Sequence, residues 1–475
     1  MSQTNPRSIG RSASETARPS DHLGRRPNRR ELILGALGTA VAGGFFTGRS
    51  PFGLPRSISL AAPSTDYRAL VCVYLVGGND SFNMLVPTGQ QAYSAYAAAR
   101  SDLAIPLSDL LPIGTVGSPA QEMGFHPNLP RLRQRYLTGD LGLVANIGPL
   151  NAPTTLAEVA AGASHVPPHL FSHSDQQRYW QGSRAEGLQA PGWGAGLVER
   201  LAASAGGTLP AAISMSGSNQ WQTSENSGPY GLQTSGAVEY MGFESGLGAA
   251  RMELFEQLIN RDSERVLVDA FAERHRRSIE FGALANQALL EAPNAPEPLP
   301  EDNALAAQLS TIARLASQHA ELGASRQIFF CRMHGFDTHA GHLEAQPELF
   351  RQLDDALASF QDSLDAFGLS QKVTTFTASD FGRSLSSNGK GCDHGWGGHQ
   401  LVLGGAVAGG AAYGTWPTLA LGGPDDVGFG RLLPTTAVDQ MSATLARWMG
   451  LGEEDLAGLF PNLPKFGSAN LGFLS

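Results

Sequence analysis

Three apolar runs in this chain end in the same way. Leu70 to Val76, Gln327 to Met333 (QIFFCRM) and Val373 to Phe376 are rich in β-branched and aromatic residues, and each gives way directly to small and polar positions. Runs apolar on both faces predict strands covered on both sides, as in a parallel sheet. Further strand-like runs begin at Leu141 (LGLVANIGPL) and within QLVLGGAVAGGAAYG. Between them, apolar residues recur at three- and four-residue steps and predict helices over about 88–99, 129–137, 251–291, 304–322, 343–367 and 437–449. The order strand, polar loop, helix, strand across Gln327 to Phe376 is that of a βαβ unit. The pattern therefore predicts an α/β fold: a mostly parallel central sheet flanked by helices. Two insertions interrupt it, a largely irregular one at about 151–226, rich in Gly, Ser, Pro and Gln, and a helical one at about 245–300.

Charge divides the chain unevenly. Nine of the 33 basic and three of the 43 acidic residues fall in the first 60 positions, so the body carries 24 basic against 40 acidic residues. A net-acidic body argues against nucleic acid as a partner. The leader reads NRRELILGALGTAVAGGFF: a twin arginine at Arg29 and Arg30, an apolar segment from Leu32 to Phe46, and small residues around Leu60-Ala61-Ala62. That order is a signal peptide of the twin-arginine (Tat) type followed by a linker, residues 1–65, ahead of one domain over 66–475. It implies export to the periplasm or beyond, with membrane contact only through the signal segment if it stays uncleaved. Cys72, Cys331 and Cys392 are too few for a disulfide framework. Cys72 and Cys331 sit in strand-like runs and read as small buried hydrophobes; Cys392, beside Asp393 and His394, is a soft ligand, a nucleophile or another such hydrophobe.

The polar exits of the strands carry the chemistry. The first, GGNDSFN, delivers Asp80; the second, HGFDTHAGH, holds His334, Asp337, His339 and His342; the third, ASDFGRSLSSNGKGCDHGWGGH, holds Asp380, Arg383, Asp393, His394 and His399. Ligands in open α/β sheets bind at such carboxyl ends. Imidazole and carboxylate together favour zinc or a similar divalent ion over calcium. One such ion, or two about 4 Å apart, can clamp the attacking and leaving oxygens of an oxyanion ester. The bland alternatives stay open: His126, His173 and His334 read as hydrogen-bonded loop residues, and Asp337 and Asp380 as helix caps. In SHSDQQRYW, Ser172 or Ser174 is placed either to cap the helix that follows or to act as an anion-binding or nucleophilic hydroxyl. P-loop, G-x-S-x-G, H-E-x-x-H and dinucleotide-binding motifs are missing.

LVGGNDSFNMLVP, SHSDQQRYW, HGFDTHAGH, TASDFGR and DHG, in this order after a twin-arginine leader, resemble the domain of unknown function 1501 family of exported bacterial proteins. That family is similar to a distant branch of the alkaline phosphatase and sulfatase superfamily. The resemblance implies an alkaline-phosphatase-like fold with metal at the strand ends. It implies Asp80, Asp337, His339, Asp380 and His394 as metal ligands and Ser172 as nucleophile; in a hydrolase built this way Arg383 or His399 is placed to steady the anion. Two departures stand out: the superfamily often pairs Asp with His on the late strand, where this chain has Asp380-Phe381, and the family usually carries Glu at Asp380. The sulfatase C/S-x-P/A-x-R motif is also missing. The expected function is an exported metal-dependent hydrolase of phosphate or sulfate esters, acting on an anionic small molecule or polymer. The alternative is a catalytically silent exported scaffold that keeps the fold and binds another exported protein or a polysaccharide.

Overall fold

The computed structural model describes residues 66–182, 191–205, 207–225, 227–237, 246–261, 263, 265–296, 298 and 300–474. The leader assigned to residues 1–65 lies outside the described residues. In chain order the strands are β1 Arg68–Leu75, β2 Leu85–Pro87, β3 Leu111–Val116, β4 Gln121–Phe125, β5 Leu141–Gly148, β6 Ala212–Ser214, β7 Tyr230–Gln233, β8 Gly236–Ala237, β9 Arg326–Met333, β10 Val373–Ser379, β11 Arg383–Ser387, β12 Cys392–His394, β13 Gly398–Leu403, β14 Ala412–Tyr413 and β15 Thr436–Ala437.

The central sheet runs β14-β5-β13-β10-β1-β9-β6-β7-β8, with β15 also on β5. From β10 through β1, β9 and β6 to β7 every pairing is parallel. β13 is antiparallel to both of its neighbours. The reason is topological. After β10 the chain stays above the carboxyl edge to make the β11–β12 ribbon, so it re-enters the sheet from that edge and must run the other way.

Side chains of β1 alternate between two cores, as the period of a strand requires. Ala69, Val71, Val73 and Leu75 join one cluster with Leu309 and Ile312 of the helix Ala304–Ser317, and with Phe350, Leu353 and Leu357 of the helix His342–Ala366. Leu70, Cys72 and Tyr74 join the other with Leu197 and Leu201 of the helix Trp193–Ala205, and with Met441 and Leu445 of the helix Val438–Trp448. Helices thus cover both faces, and burial of the even and odd positions alike explains the uninterrupted apolar runs. Cys72 and Cys331 lie buried in these cores.

The register fixes where the chemistry collects. Leu75 pairs with Met333 on one side and with Ser379 on the other. The three strands therefore end level, and the segments beginning at Val76, His334 and Asp380 rise from one edge. Two readings of the pattern need adjusting. The 151–226 segment contains the helices His173–Gly182 and Trp193–Ala205 and contributes β6 to the sheet beside β9; a three-residue strand has no periodicity to detect. The 251–291 segment forms two helices, Gly248–Ile259 and Val266–Glu291. They part near Ser263, whose backbone N–H and hydroxyl turn to the Asp269 carboxylate instead of a helical carbonyl.

Candidate metal centre

Glycines let the strand exits approach one another. Gly77 and Gly78 follow β1 with φ of 115° and 91°. A Cβ on Gly77 would stand 2.4 Å from the Asp337 backbone nitrogen, and one on Gly78 would stand 2.4 Å from the Phe381 ring. Only the missing side chains allow that contact. The same turn points the Gly77 N–H at the Asp380 carboxylate, 3.2 Å away. Above it, β11 and β12 pair Arg383 with His394, which holds both over the edge. The helix His173–Gly182 arrives from the insertion and presents His173 and Gln177, one turn apart, to Asp380.

Three imidazoles converge on one carboxylate. His339 Nε2 and His394 Nε2 lie 3.2 and 3.3 Å from Asp337 Oδ1, and His173 Nε2 lies 3.5 Å from Oδ2. His173, Asp337 and His394 each offer one donor atom, all within 4.8 Å of one another; His339 lies at the rim of that set. Each ring is turned by an acceptor on its far nitrogen. His173 Nδ1 lies 2.6 Å from Asp380 Oδ2, His339 Nδ1 3.1 Å from Asp393 Oδ1, and His394 Nδ1 2.7 Å from the Phe171 carbonyl. A carbonyl or carboxylate oxygen can only accept, so these outer nitrogens carry protons; with a cation at the centre each Nε2 is free to present its lone pair inward. His339 Nε2 is 2.8 Å from His394 Nε2. Two lone pairs at that distance repel unless a cation or proton lies between them.

The residues fit a divalent ion. Ligands about 2.0–2.1 Å from a tetrahedral zinc are about 3.3 Å apart, close to the spacings around Asp337. Every inward imidazole has its outer nitrogen tethered, the arrangement that orients metal-binding histidines. Asp337 is paired to the Arg383 guanidinium, and Asp393 also lies within its field. Burial works to raise the Asp337 carboxyl, but Arg383, His339 and His173 outweigh it and hold it below the usual range. Burial lowers His394, reinforced by Arg383 and His173 against the Phe171 carbonyl, which favours the neutral, ligating form. The cluster is open: the Asp337 and His339 side chains are 45% and 43% exposed.

A second donor set lies behind the first and differs in kind. Asp80, His342 and Cys392 also come within 4.8 Å of one another, but all three are buried. His342 Nε2 is 3.1 Å from Asp80 Oδ2, and the Arg100 guanidinium binds that same oxygen. Burial disfavours the charged imidazole, yet Asp80 and Cys392 raise His342 to about 9. Asp80 is opposed by burial but held far below the carboxylate range by Arg100 and His342. Two cations therefore already meet one carboxylate, which leaves Asp80 ion-paired within the fold.

The sequence-predicted residues divide accordingly. Asp337, His339 and His394 meet around the open cluster. Asp380 belongs to it through His173: its Oδ2 accepts from His173, Gly77 N and Gln177, so it orients a ligand instead of being placed as one. Asp80 is drawn away into the closed set by Arg100. Arg383, fully buried, donates to Asp337 Oδ1 at 2.7 Å, to the Gly77 carbonyl and to the Cys392 carbonyl, which commits its guanidinium to positioning Asp337. His399 is buried apart, its Nδ1 accepting from the Asn146 N–H, with Phe82 and Trp416 against its ring; burial lowers it to about 3. The Ser172 hydroxyl lies 3.2 Å from the Ser174 hydroxyl, and its carbonyl accepts from Gln176 N at the start of the helix. Phe381, next after Asp380, packs its ring on His173 and His394.

The ligand set expected from the sequence omits His173, Asp393 and His342, although His342 and Asp393 stand among the strand-exit candidates and His173 reads as a loop residue, and it gives Arg100 no part. His173 and Gln177 carried a signal in their four-residue spacing, and Asp393 in its adjacency to His394. Arg100, at the end of the helix Gln90–Arg100, carried none.

No curated protein matches the chain. Among solved structures, the chain is similar to Ps i-CgsB in complex with k-i-k-neocarrahexaose, at 11% identity and TM-score 0.33 over 85% of this chain and 77% of that one. It is similar to the lipoteichoic acid synthase LtaP from Listeria monocytogenes at 8% identity and TM-score 0.31 over 86% and 74%. A mutant of the alkaline phosphatase PafA matches at 10% identity and TM-score 0.27 over 68% and 64%. The sequence model of one family, "Protein of unknown function (DUF1501)", matches residues 67–464. That span contains β1, both donor sets and every residue around Asp337, and the chain belongs to the DUF1501 family.

Proposed function

We propose that this protein is an exported metal-dependent hydrolase of phosphate or sulfate esters, with one divalent ion, zinc or a close relative, held by Asp337, His173 and His394. The observation that carries the reading is the convergence of three inward-facing Nε2 atoms on Asp337, each ring tethered from outside, at a solvent-open edge of the sheet. Structural zinc sites are closed and four-coordinate, whereas catalytic ones keep three protein ligands and an open position. A bound ion supplies Lewis acidity toward an ester oxygen. The chain's own groups do the remaining work. Asp380 and Gln177 fix the ring of His173, and Arg383 holds Asp337. His339, the most exposed of the three imidazoles and turned by Asp393, holds or moves a proton at Nε2 beside the ion site. The substrate is an anionic ester, small or polymeric, met outside the cytoplasm.

The test is turnover of p-nitrophenyl phosphate and p-nitrophenyl sulfate by metal-loaded protein, with Asp337→Ala and His339→Gln as controls. Activity lost in Asp337→Ala and reduced in His339→Gln, with folding intact in both, supports the reading. A metal-loaded, folded wild type that turns over neither ester nor any natural phosphate or sulfate ester of a broad panel favours the binding scaffold instead.

A further inference from the structure

Beside the candidate centre runs an open groove of about 600 Å³. One wall is the helix that carries His173: Ser174, Gln177 and Arg178 line the groove, and Gln177 also donates to the Asp380 carboxylate that orients His173. The other wall comes from the loop after β6, with Ser218, Asn219 and Thr223, and from Arg332 on β9. The groove and the ion site therefore share a helix face and one hydrogen bond.

We propose that this groove binds the non-reacting part of the substrate and that this part is a hydroxyl-rich glycan chain; the proposal rests on the hydrolase reading and adds the substrate class. Among the described residues the lining side chains are amide, hydroxyl or charged, with Pro191 the one apolar residue, and the carbon stems of those side chains form much of the exposed surface. Trp180, Trp193 and Trp221 lie close by but are buried, so no ring among the described residues is left to stack an aryl or nucleobase. Drying such a surface is costly unless the ligand returns its hydrogen bonds, and a chain of hydroxyls does so while an acyl or aryl group does not. Two guanidinium groups, Arg178 and Arg332, face one carboxylate, Glu225. Arg178 is paired to Asp175 at 3.3 Å, and Arg332 donates to the Ser218 carbonyl at 3.2 Å. That balance suits a sparsely charged chain and opposes a polyanion. The volume lies within the range of ligand sites, about 300–1,000 Å³, and exceeds what a lone phosphate or sulfate fills.

The experiment displays full-length metal-loaded protein to an array of neutral, monosulfated and monophosphorylated oligosaccharides of graded length, with matching monosaccharide esters, nucleotides and anionic phosphatidylglycerol vesicles. The expected result is binding to at least one oligosaccharide class about tenfold or more tighter than to its monosaccharide ester, the worth of one or two net hydrogen bonds. Thr223→Trp, which fills the groove, and the separate Ser218→Trp should abolish that length advantage while leaving metal content intact. Absence of oligosaccharide binding, a length advantage that survives both substitutions, or preference for nucleotides or vesicles overturns the proposal. Oligosaccharide binding lost in the variants of a protein that holds no metal keeps the groove and removes the hydrolase reading beneath it.

Discussion

Replacing Asp380 by Asn separates a ligand from a residue that orients one. Asp380 Oδ2 accepts from His173 Nδ1 at 2.6 Å, Gly77 N at 3.2 Å and Gln177 Nε2 at 3.3 Å. An amide oxygen in that place keeps all three contacts, the amide nitrogen takes the buried Oδ1 position beside Tyr74, and the negative charge behind His173 is lost. Alanine would instead orphan the buried Gly77 N–H, at about 1–3 kcal/mol, and leave the half-buried His173 and Gln177 donors without their acceptor, mixing folding with binding. Loss of a carboxylate behind a ligating histidine weakens ion affinity about 10–100-fold, or about 1.4–2.7 kcal/mol. Competition for Zn²⁺ against a chromophoric chelator measures this directly, with Asp337→Ala as the reference for a lost ligand. Asp380→Asn should fall between wild type and Asp337→Ala. Affinity equal to wild type, or as low as Asp337→Ala, refutes the orienting role.

Three further outcomes follow from the same geometry. Arg100→Leu leaves Asp80 buried without its guanidinium and should destabilise the protein by about 3–5 kcal/mol in urea unfolding, with ion content unchanged. His342 is raised to about 9 in the fold, against about 6.5 unfolded, so its contribution is fully present below about pH 6.5 and is lost as pH rises through about 9. At about 1.36 kcal/mol per unit that is roughly 3 kcal/mol, a slope that His342→Gln should flatten in chelator-treated protein. Gly77→Ala would place a Cβ 2.4 Å from the Asp337 nitrogen at a φ of 115°. It should cost about 2–4 kcal/mol in thermal unfolding and weaken Zn²⁺ binding, because the strain is relieved by moving Asp337.

The parts that repetition reveals were legible in the chain. Val71 and Leu70 are buried on opposite faces, so the run containing them reads as a covered strand, and three such runs ending in acid or imidazole locate the site edge. Asp337, His339 and His394 follow from that edge. What stayed hidden depends on contacts between remote segments. β6 has three residues and no pattern; it is placed by pairing with β9. His173 sits in a stretch without strand periodicity, and its part is set by Asp380, 207 positions away. Asp80 looks like a ligand until Arg100 reaches it from the end of a helix whose sequence gives no sign of that contact. Asp380 and Asp80 are both strand-end carboxylates, and only their neighbours separate an orienting group from an ion-paired one.

Elemental analysis of the purified protein, beside His173→Ala and Asp80→Asn, tests the central claim most directly. The geometry around Asp337 predicts about one equivalent of a divalent transition metal per chain, lost in His173→Ala and kept in Asp80→Asn. A chain that holds no metal after reconstitution, or two ions of which one depends on Asp80, contradicts it.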